Sequence, residues 1–369
     1  MTDRLRVGVL FGGRSGEHEI SLLSARSVLA ALDPSRYEAV QIGITHDGRW
    51  YTGPQTLEAL EQGRLDGLSP AAVLADKGLH CLFRWGEGSP MQVVSQLDVV
   101  FPVLHGSFGE DGTIQGLLEL ADVPYVGAGV LASSVAMDKA LFKDLMRARG
   151  LPVLDWALIL SSEIAADPVA AVGRAEQAGP YPLFTKPSNL GSSVGVSKVR
   201  SRSDLIEGLM DAARYDRRVI VERGLEAREI EVSVLGNEDP QASVPGEILP
   251  SDEFYSYRAK YLDDASELRI PAPIDERTAA LARRLAVEAF RGIDGAGMAR
   301  ADFLLDRRTG DLYLNELNTI PGFTRISMYP KLWDATGLPY PALMDRLIEL
   351  ALERQGQKDR LVRRYGDVE

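Results

Sequence analysis

Apolar positions fall in two rhythms along this chain. Residues 6–11 (RVGVLF) and 99–104 (VVFPVL) are short, almost continuous apolar runs, the pattern of strands buried on both faces. Each leads into a polar, glycine-containing loop, GGRSGEHE in the first case and HGSFGEDG in the second. Apolar residues at helical spacing follow each loop: Leu22, Ala25, Leu29 and Leu32 ahead of Pro34, then Ile114, Leu117 and Leu118. Strand, loop and helix in that order predict an open α/β sheet. Both loops then sit at strand carboxyl ends, where such sheets bind ligands and helix starts favour anions.

Near residue 127 the rhythm changes. A helix from Asp138 should close at Gly150, with Pro152 behind it, before short β-rich runs at 182–186 (PLFTK) and 194–199 (VGVSKV). Beyond residue 226 come a strand-like EIEVSVLG, a polar tyrosine-rich stretch from Ser251 to Arg269, a helix from Asp275 to about Gly292, and a strand pair across 298–319. A last helix is expected from Pro341 to about Arg354 with Leu343, Leu347 and Leu350 inward, and the residues after Gly356 read as a frayed end. The expected organisation is an α/β chain of three domains, 1–127, 128–226 and 227–369. Residues 54–95 match no motif.

Composition excludes several function classes. The chain has 369 residues, 45% of them apolar, and a formal charge of −12, which suits an ordinary globular protein of two to three domains. No apolar stretch is long enough for secretion or membrane spanning, so a cytoplasmic location is expected. A lone cysteine, Cys81, excludes an internal disulfide, and His18, His46, His80 and His105 lack zinc-site spacing. The acidic balance, without a Lys/Arg block, argues against nucleic acid as a partner.

Two familiar motifs occur. GSSVG (191–195) matches the nucleophile elbow that would make Ser193 a hydrolase nucleophile, but that arrangement needs a later histidine and none follows residue 105. GAGVLA (127–132) matches a dinucleotide-binding fingerprint, which leaves an NAD(P)-dependent oxidoreductase formally open beside the simpler reading of a glycine turn.

The strongest constellation is ARADFLLDRRTGDLYLNELNTIPGFTRIS (299–327). Read as two strands, it places Arg300 and Asp302 on one face by period-2 alternation, and Glu316 and Asn318 on one face of the second strand. With the turn centred near Thr309, Asp302 lies opposite Glu316. Opposed carboxylates repel unless a cation lies between them, and two acids with one amide suit a magnesium ion that takes its other ligands from nucleotide phosphates and water. Counter-charges for phosphate are available at Lys139, Lys186 and Lys260. Lys186 stands out because the small-residue loop PSNLGSSVGV follows it and lets backbone N–H groups approach an anion.

EHEISLLSARSV, HGSFGEDGTIQG, KPSNLGSSVGVSKV, SYRAKYL, ARADFLLD and NELNTIPGFTRISMYPKLW, in this order from about residue 5 to 350, resemble the D-alanine–D-alanine ligases of the ATP-grasp superfamily. The resemblance implies a three-domain ATP-grasp fold with an N-terminal Rossmann-like sheet and two α+β domains clamping the nucleotide. It also implies ATP-driven joining of two D-alanines for peptidoglycan precursor synthesis, in a cytoplasmic homodimer. Asp302, Glu316 and Asn318 would hold two magnesium or manganese ions, and Lys139, Lys186, Ser193 and Lys260 would face the phosphates. Glu222, the backbone near Leu225, and Glu229 would hold adenine and ribose.

By the same resemblance, Arg300 and the Gly322 backbone N–H would stabilise the oxyanion formed when the second amine attacks an acyl phosphate. Glu17 would bind the first ammonium, in a hydrogen-bonded chain with Ser192 and Tyr261. Ser327 and the Met328 backbone would grip the second carboxylate, with His105 lining that pocket. Residues 251–266 match a lid that excludes water from the acyl phosphate. Tyr261 stands where D-lactate-using relatives carry a histidine, which favours a dipeptide over D-alanyl-D-lactate; an ATP-grasp ligase that joins D-alanine to D-serine or D-lactate is the alternative within the class. A nucleotide-binding regulator without catalysis is a further alternative.

Overall fold

The computed structural model describes residues 4–86, 88–191, 194–249 and 267–362. Ser192, Ser193, Lys260, Tyr261 and the expected lid 251–266 therefore lie outside the described residues.

The first sheet is built from β1 (Leu5–Gly12), β2 (Tyr37–Ile44), β3 (Trp50–Thr52), β4 (Ser69–Val73), β5 (Cys81–Arg84), β6 (Gln92–Gln96) and β7 (Val99–Val103), in the order β6-β5-β4-β3-β2-β1-β7. β1 lies at its heart, parallel to β2 on one side and β7 on the other. It is covered on both faces, which is why its sequence is continuously apolar. Val7, Val9 and Phe11 pack under α1 (His18–Ala31), while Leu10 packs with Ile114 and Leu118 of α3 (Thr113–Leu120). The unexplained segment 54–95 forms α2 (Thr56–Glu61) and strands β4 to β6, which extend the parallel centre with antiparallel strands.

Helices α4 (Val130–Met137) and α5 (Lys139–Ala148) come next, with Asp138 capping α5 by accepting from the Leu141 amide. Their Ala132, Ala136, Phe142 and Met146 pack into the core of the third sheet. A second sheet, order β10-β9-β11-β8, consists of β8 (Trp156–Leu160), β9 (Leu183–Pro187), β10 (Ser197–Val199) and β11 (Arg218–Arg223), all antiparallel. Helices α6 (Ser161–Ala166), α7 (Pro168–Ala175) and α8 (Arg202–Ala212) supply its core, through Ile164, Val172 and Leu209 among others.

The third sheet contains β12 (Ala227–Gly236), β13 (Gln241–Ala242), β14 (Gly246–Leu249), β15 (Glu267–Arg269), β16 (Gly297–Asp306) and β17 (Leu312–Asn318). One face, with Ile230, Val232, Ala299, Ala301 and Phe303, is buried beneath α9 (Glu276–Gly292). Alternation sends Glu229, Glu231, Arg300 and Asp302 to the opposite face. Antiparallel pairing sets Asp302 opposite Glu316 and Arg300 opposite Asn318, the register expected from the sequence. A β-bulge beside this pair changes the phase of β17. Leu312 and Leu314 point to the core before it and Leu317 after it, so Glu316 and Asn318 emerge with Arg300 and Asp302.

Two further helices, α10 (Met328–Ala335) and α11 (Tyr340–Asp359), close the chain, and Leu343 and Leu347 of α11 bury themselves against the first sheet beside Val7 and Phe101. α11 runs past the expected end near Arg354. Its last turns are held by polar contacts, with Arg354 donating to the Gly127 and Tyr125 carbonyls and Lys358 paired with Glu119, which an apolar-periodicity reading does not detect. The GAGVLA turn is filled by protein. Gly127 and Gly297, both at positive φ, are packed so closely that a Cβ on Gly297 would lie 3.0 Å from the Gly127 nitrogen. That contact leaves no room for a dinucleotide pyrophosphate.

Candidate active site

The acid face of β16 and β17 meets the second sheet across a cleft of about 610 Å³, whose walls include Lys139, Lys186, Glu222, Leu225, Glu229, Asp302 and Glu316. Sequence reasoning had taken these seven residues from five separate stretches of chain. Asp302 is held by Arg300, whose Nε and Nη2 each donate at 2.7 Å to the two carboxylate oxygens, and by the Asn318 amide at 3.0 Å. Arg300 Nε also lies 3.0 Å from the buried Glu231. Across the pair, Glu316 has Lys139 Nζ at 3.6 Å. The chain's own cations, Arg300 and Lys139, thus flank the acid pair and offset part of its charge.

Lys139 is positioned by the α5 cap. The Asp138 carboxylate accepts from Ser188, Asn189 and Arg218, and Lys139 Nζ donates to the Leu190 carbonyl at 2.8 Å. Glu222, at the end of β11, is only 2% exposed and carries two ion pairs, to Lys186 Nζ at 2.5 Å and Lys143 Nζ at 2.6 Å. Burial pushes the Glu222 carboxyl up, but the two ammonium groups outweigh it and hold it at about 2. Burial pulls the Lys143 ammonium down against the attraction of Glu222, whereas for Lys186 the surrounding acids overcome burial and raise it.

A smaller cavity adjoins this cleft and shares Lys139 and Glu316 with it; its walls include Glu17, His105, Glu110, Arg300 and Gly322. Glu17 occupies the N-cap position of α1 without a side-chain cap hydrogen bond. Its carboxylate packs on two glycines. A Cβ on Gly106, at φ +73°, would lie 2.4 Å from Glu17 Oε2, and one on Gly191 would lie 3.1 Å away. His105 is buried with both ring nitrogens engaged, Nδ1 3.0 Å from the Ile320 carbonyl and Nε2 3.0 Å from Ser24 Oγ. Burial lowers its pKa, which makes it a neutral ring that donates from Nδ1 and accepts from the serine. Ser24 Oγ in turn accepts from the Phe323 amide, so this chain of bonds fixes the loop bearing Gly322. Ser327 lies against that loop, donating or accepting with Thr324 Oγ1 at 2.7 Å, while Met328 is buried against Gly246.

Two residues of the site were missed in the sequence. Glu110, in the GEDG part of the second loop, accepts from the Gly106 amide at 2.7 Å and the Ile320 amide at 3.2 Å. Burial and the nearby Glu17 carboxylate push it up to about 8. Lys143 lies one helical turn beyond Lys139, on the buried face of α5, and that spacing was the available signal. Among the described residues, no group of three His, Cys, Asp or Glu side chains is arranged to hold a metal. Two carboxylates and the Asn318 amide are too few for an all-protein cage and fit a magnesium ion completed by phosphate and water.

Comparison with known proteins agrees with this geometry. The family described as "D-ala D-ala ligase N-terminus" matches residues 6–128, and "D-ala D-ala ligase C-terminus" matches residues 145–349. A D-alanine--D-alanine ligase of Thermoanaerobacter sp. is 50% identical over 361 residues, covering 97% of this chain and 99% of the relative. One from Natranaerobius thermophilus is 48% identical over 97% of each chain. Among solved structures, the D-alanine-D-alanine ligase from Coxiella burnetii superposes with a TM-score of 0.80 at 36% identity over 98% of each chain. The VanG D-Ala:D-Ser ligase from Enterococcus faecalis gives 0.83 at 32% identity, over 95% of this chain and 100% of that one. With both family descriptions matched in order and relatives aligned along nearly its whole length, this ATP-grasp chain belongs to the D-alanine–D-alanine ligase family.

Proposed function

We propose that the chain is an ATP-dependent carboxylate–amine ligase that joins two D-alanines, and that the cleft and the smaller cavity are its nucleotide and amino-acid sites. The observation that carries this reading is their junction: Lys139 and Glu316 belong to both walls, so a phosphate end of a nucleotide and a small amino acid would meet there. A carboxylate is a poor acylating agent. One D-alanine carboxylate oxygen takes the γ-phosphoryl group and ADP leaves; the amine of the second D-alanine then attacks the carbonyl carbon, and inorganic phosphate departs with the C–O bond.

In this reading Lys139 and Lys186 offset phosphate charge, a role the family resemblance also gives to Ser193 and Lys260. Glu222, the Leu225 backbone and Glu229 form the adenine and ribose wall. Asp302, Glu316 and Asn318 would hold divalent ions, which neutralise the phosphates when bound. Arg300, on the same face as Asp302, has its guanidinium beside the acid face and offers N–H donors to a developing oxyanion, as does the Gly322 amide. Glu17, held between Gly106 and Gly191, faces the first ammonium, and the family resemblance would link it with Ser192 and Tyr261. Ser327 and Met328 receive the second carboxylate, and His105 fixes the loop that presents them. Tyr261, by its place in the family motif, favours an amino acid over D-lactate as the second substrate.

The test is a single assay with ATP and D-alanine, with and without magnesium or manganese, following phosphate release and the product by mass spectrometry. Magnesium-dependent D-alanyl-D-alanine supports the reading. Dipeptide formation only when D-serine is supplied, or an ester with D-lactate, would reassign the acceptor. Phosphate-free ATP binding would reassign the protein as a regulator. Gel filtration with light scattering tests the homodimer expected from the family, and no described helix is long and apolar enough to cross a membrane.

A further inference from the structure

The floor of the nucleotide cleft holds one carboxylate and two ammonium groups. Glu222 is 2% exposed, Lys143 is 1% exposed, and Lys186 is the outermost of the three at 18%. Only Lys186 and Glu222 line the cleft; Lys143 lies behind them on α5. A lysine ammonium that turns its donors toward a phosphate weakens its hold on a neighbouring acid. If Lys186 were the sole partner of Glu222, turning to a phosphate would strand a carboxylate with almost no access to water, a strongly unfavourable state. The second ammonium removes that obstacle, because Glu222 stays paired with Lys143 whichever way Lys186 turns.

We propose that Lys143 is a positioning residue for nucleotide binding: by remaining on Glu222 it frees Lys186 to exchange that carboxylate for a phosphate of ATP. This rests on the assignment of the cleft to ATP. Lys143 itself lines neither the cleft nor the smaller cavity. Its effect should therefore appear in ATP affinity and not in the turnover of the saturated enzyme.

The test compares Lys143→Met, Lys143→Arg, Glu222→Gln and the double variant Lys143→Met/Glu222→Gln with the wild-type chain at 20 °C, reading ATP Kd, the KM values for ATP and D-alanine, and kcat. Lys143→Met is expected to raise ATP Kd and KM at least tenfold, leave the D-alanine KM within twofold and lower kcat less than threefold; Lys143→Arg keeps wild-type values. In the Glu222→Gln background the same lysine change should alter ATP KM less than twofold, since no carboxylate remains to trap Lys186. A purely structural lysine would lower melting temperature without separating the two KM values, and an equal effect in both backgrounds would overturn the proposal. Should Lys143→Met not fold, the Glu222→Gln pair and Lys143→Arg decide the question by the same criteria. A wild-type chain that binds no ATP and makes no dipeptide sinks the functional assignment instead; a working wild type without this coupling sinks only the role of Lys143.

Discussion

Two ionic clusters lie in one cleft and differ in how they are compensated. At the end of β11, Glu222 and Lys143 are sealed from water, and their pairing is a permanent part of the core. On β16 and β17, the side chains of Asp302 and Glu316 are 14% and 23% exposed, and the cations beside them, Arg300 and Lys139, line the smaller cavity as well. The Glu222–Lys143 pair resists exchange because removing one partner strands the other in a medium that solvates charge poorly. The cluster on β16 and β17, which borders both cavities, can trade its protein cations for those that arrive with a ligand. Burial thus separates an ion pair that maintains the fold from one that is available for chemistry.

The sharpest way to break this contrast is to neutralise one acid in each cluster. Glu222→Gln should lower unfolding stability by about 3–5 kcal/mol, the usual effect of breaking a buried pair, measured by urea denaturation. The sign with pH follows from its depressed pKa: the stabilisation is complete above the unfolded value near 4.5 and disappears as pH falls toward about 2, so the variant should show a flatter acid limb. Asp302→Asn should do the reverse, leaving stability within about 1 kcal/mol while lowering kcat by about 10²–10³-fold, the effect of losing one preorganised charge partner. A large stability loss there, with activity kept, would abolish the distinction.

Glu110 offers a finer test. Its folded pKa, about 8, exceeds the ordinary 4.5, so the folded state holds a proton that the unfolded chain has released between those values. Wild-type stability should fall with rising pH in that window, and Glu110→Gln should gain on the wild type by up to about 1.4 kcal/mol per pH unit, seen as melting curves between pH 5 and 8. The smallest effect belongs to the surface. Lys358→Ala removes a pair with Glu119 whose side chains are 27% and 33% exposed, and should change stability by at most about 1 kcal/mol and fray the last turn of α11 in hydrogen exchange.

Much of the site was legible because alternation and register are local properties. The pairing of Asp302 with Glu316 is the one read from the sequence, and β16 and β17 reach it through the bulge, since the register leaving the turn would otherwise set Asp302 against Asn315. The helix from Asp138 was visible through its cap and its closing glycine. Segment 54–95 was not legible, since strands β4 to β6 are short and carry no strict alternation; the antiparallel edge they form depends on pairing one after another onto β3. Lys143 is marked only by its spacing from Lys139 and Glu110 by no pattern at all, and the packing of α5 and of the second loop is what makes them interior.

The sequence by itself determined the α/β class, the two ligand-facing loops, and the acid, amide and arginine set on the last strand pair, because each depends on periodicity within a few residues. Tertiary structure alone decided which charges are neutralised by the protein and which are left for a ligand. It also supplied the bulge beside Asn315: by strict alternation Glu316 would have followed Leu312 and Leu314 into the core, and one extra residue in the strand brings it out to face the cleft. Charge pairing and strand phase are set by distant neighbours, and those are known only once the chain has folded.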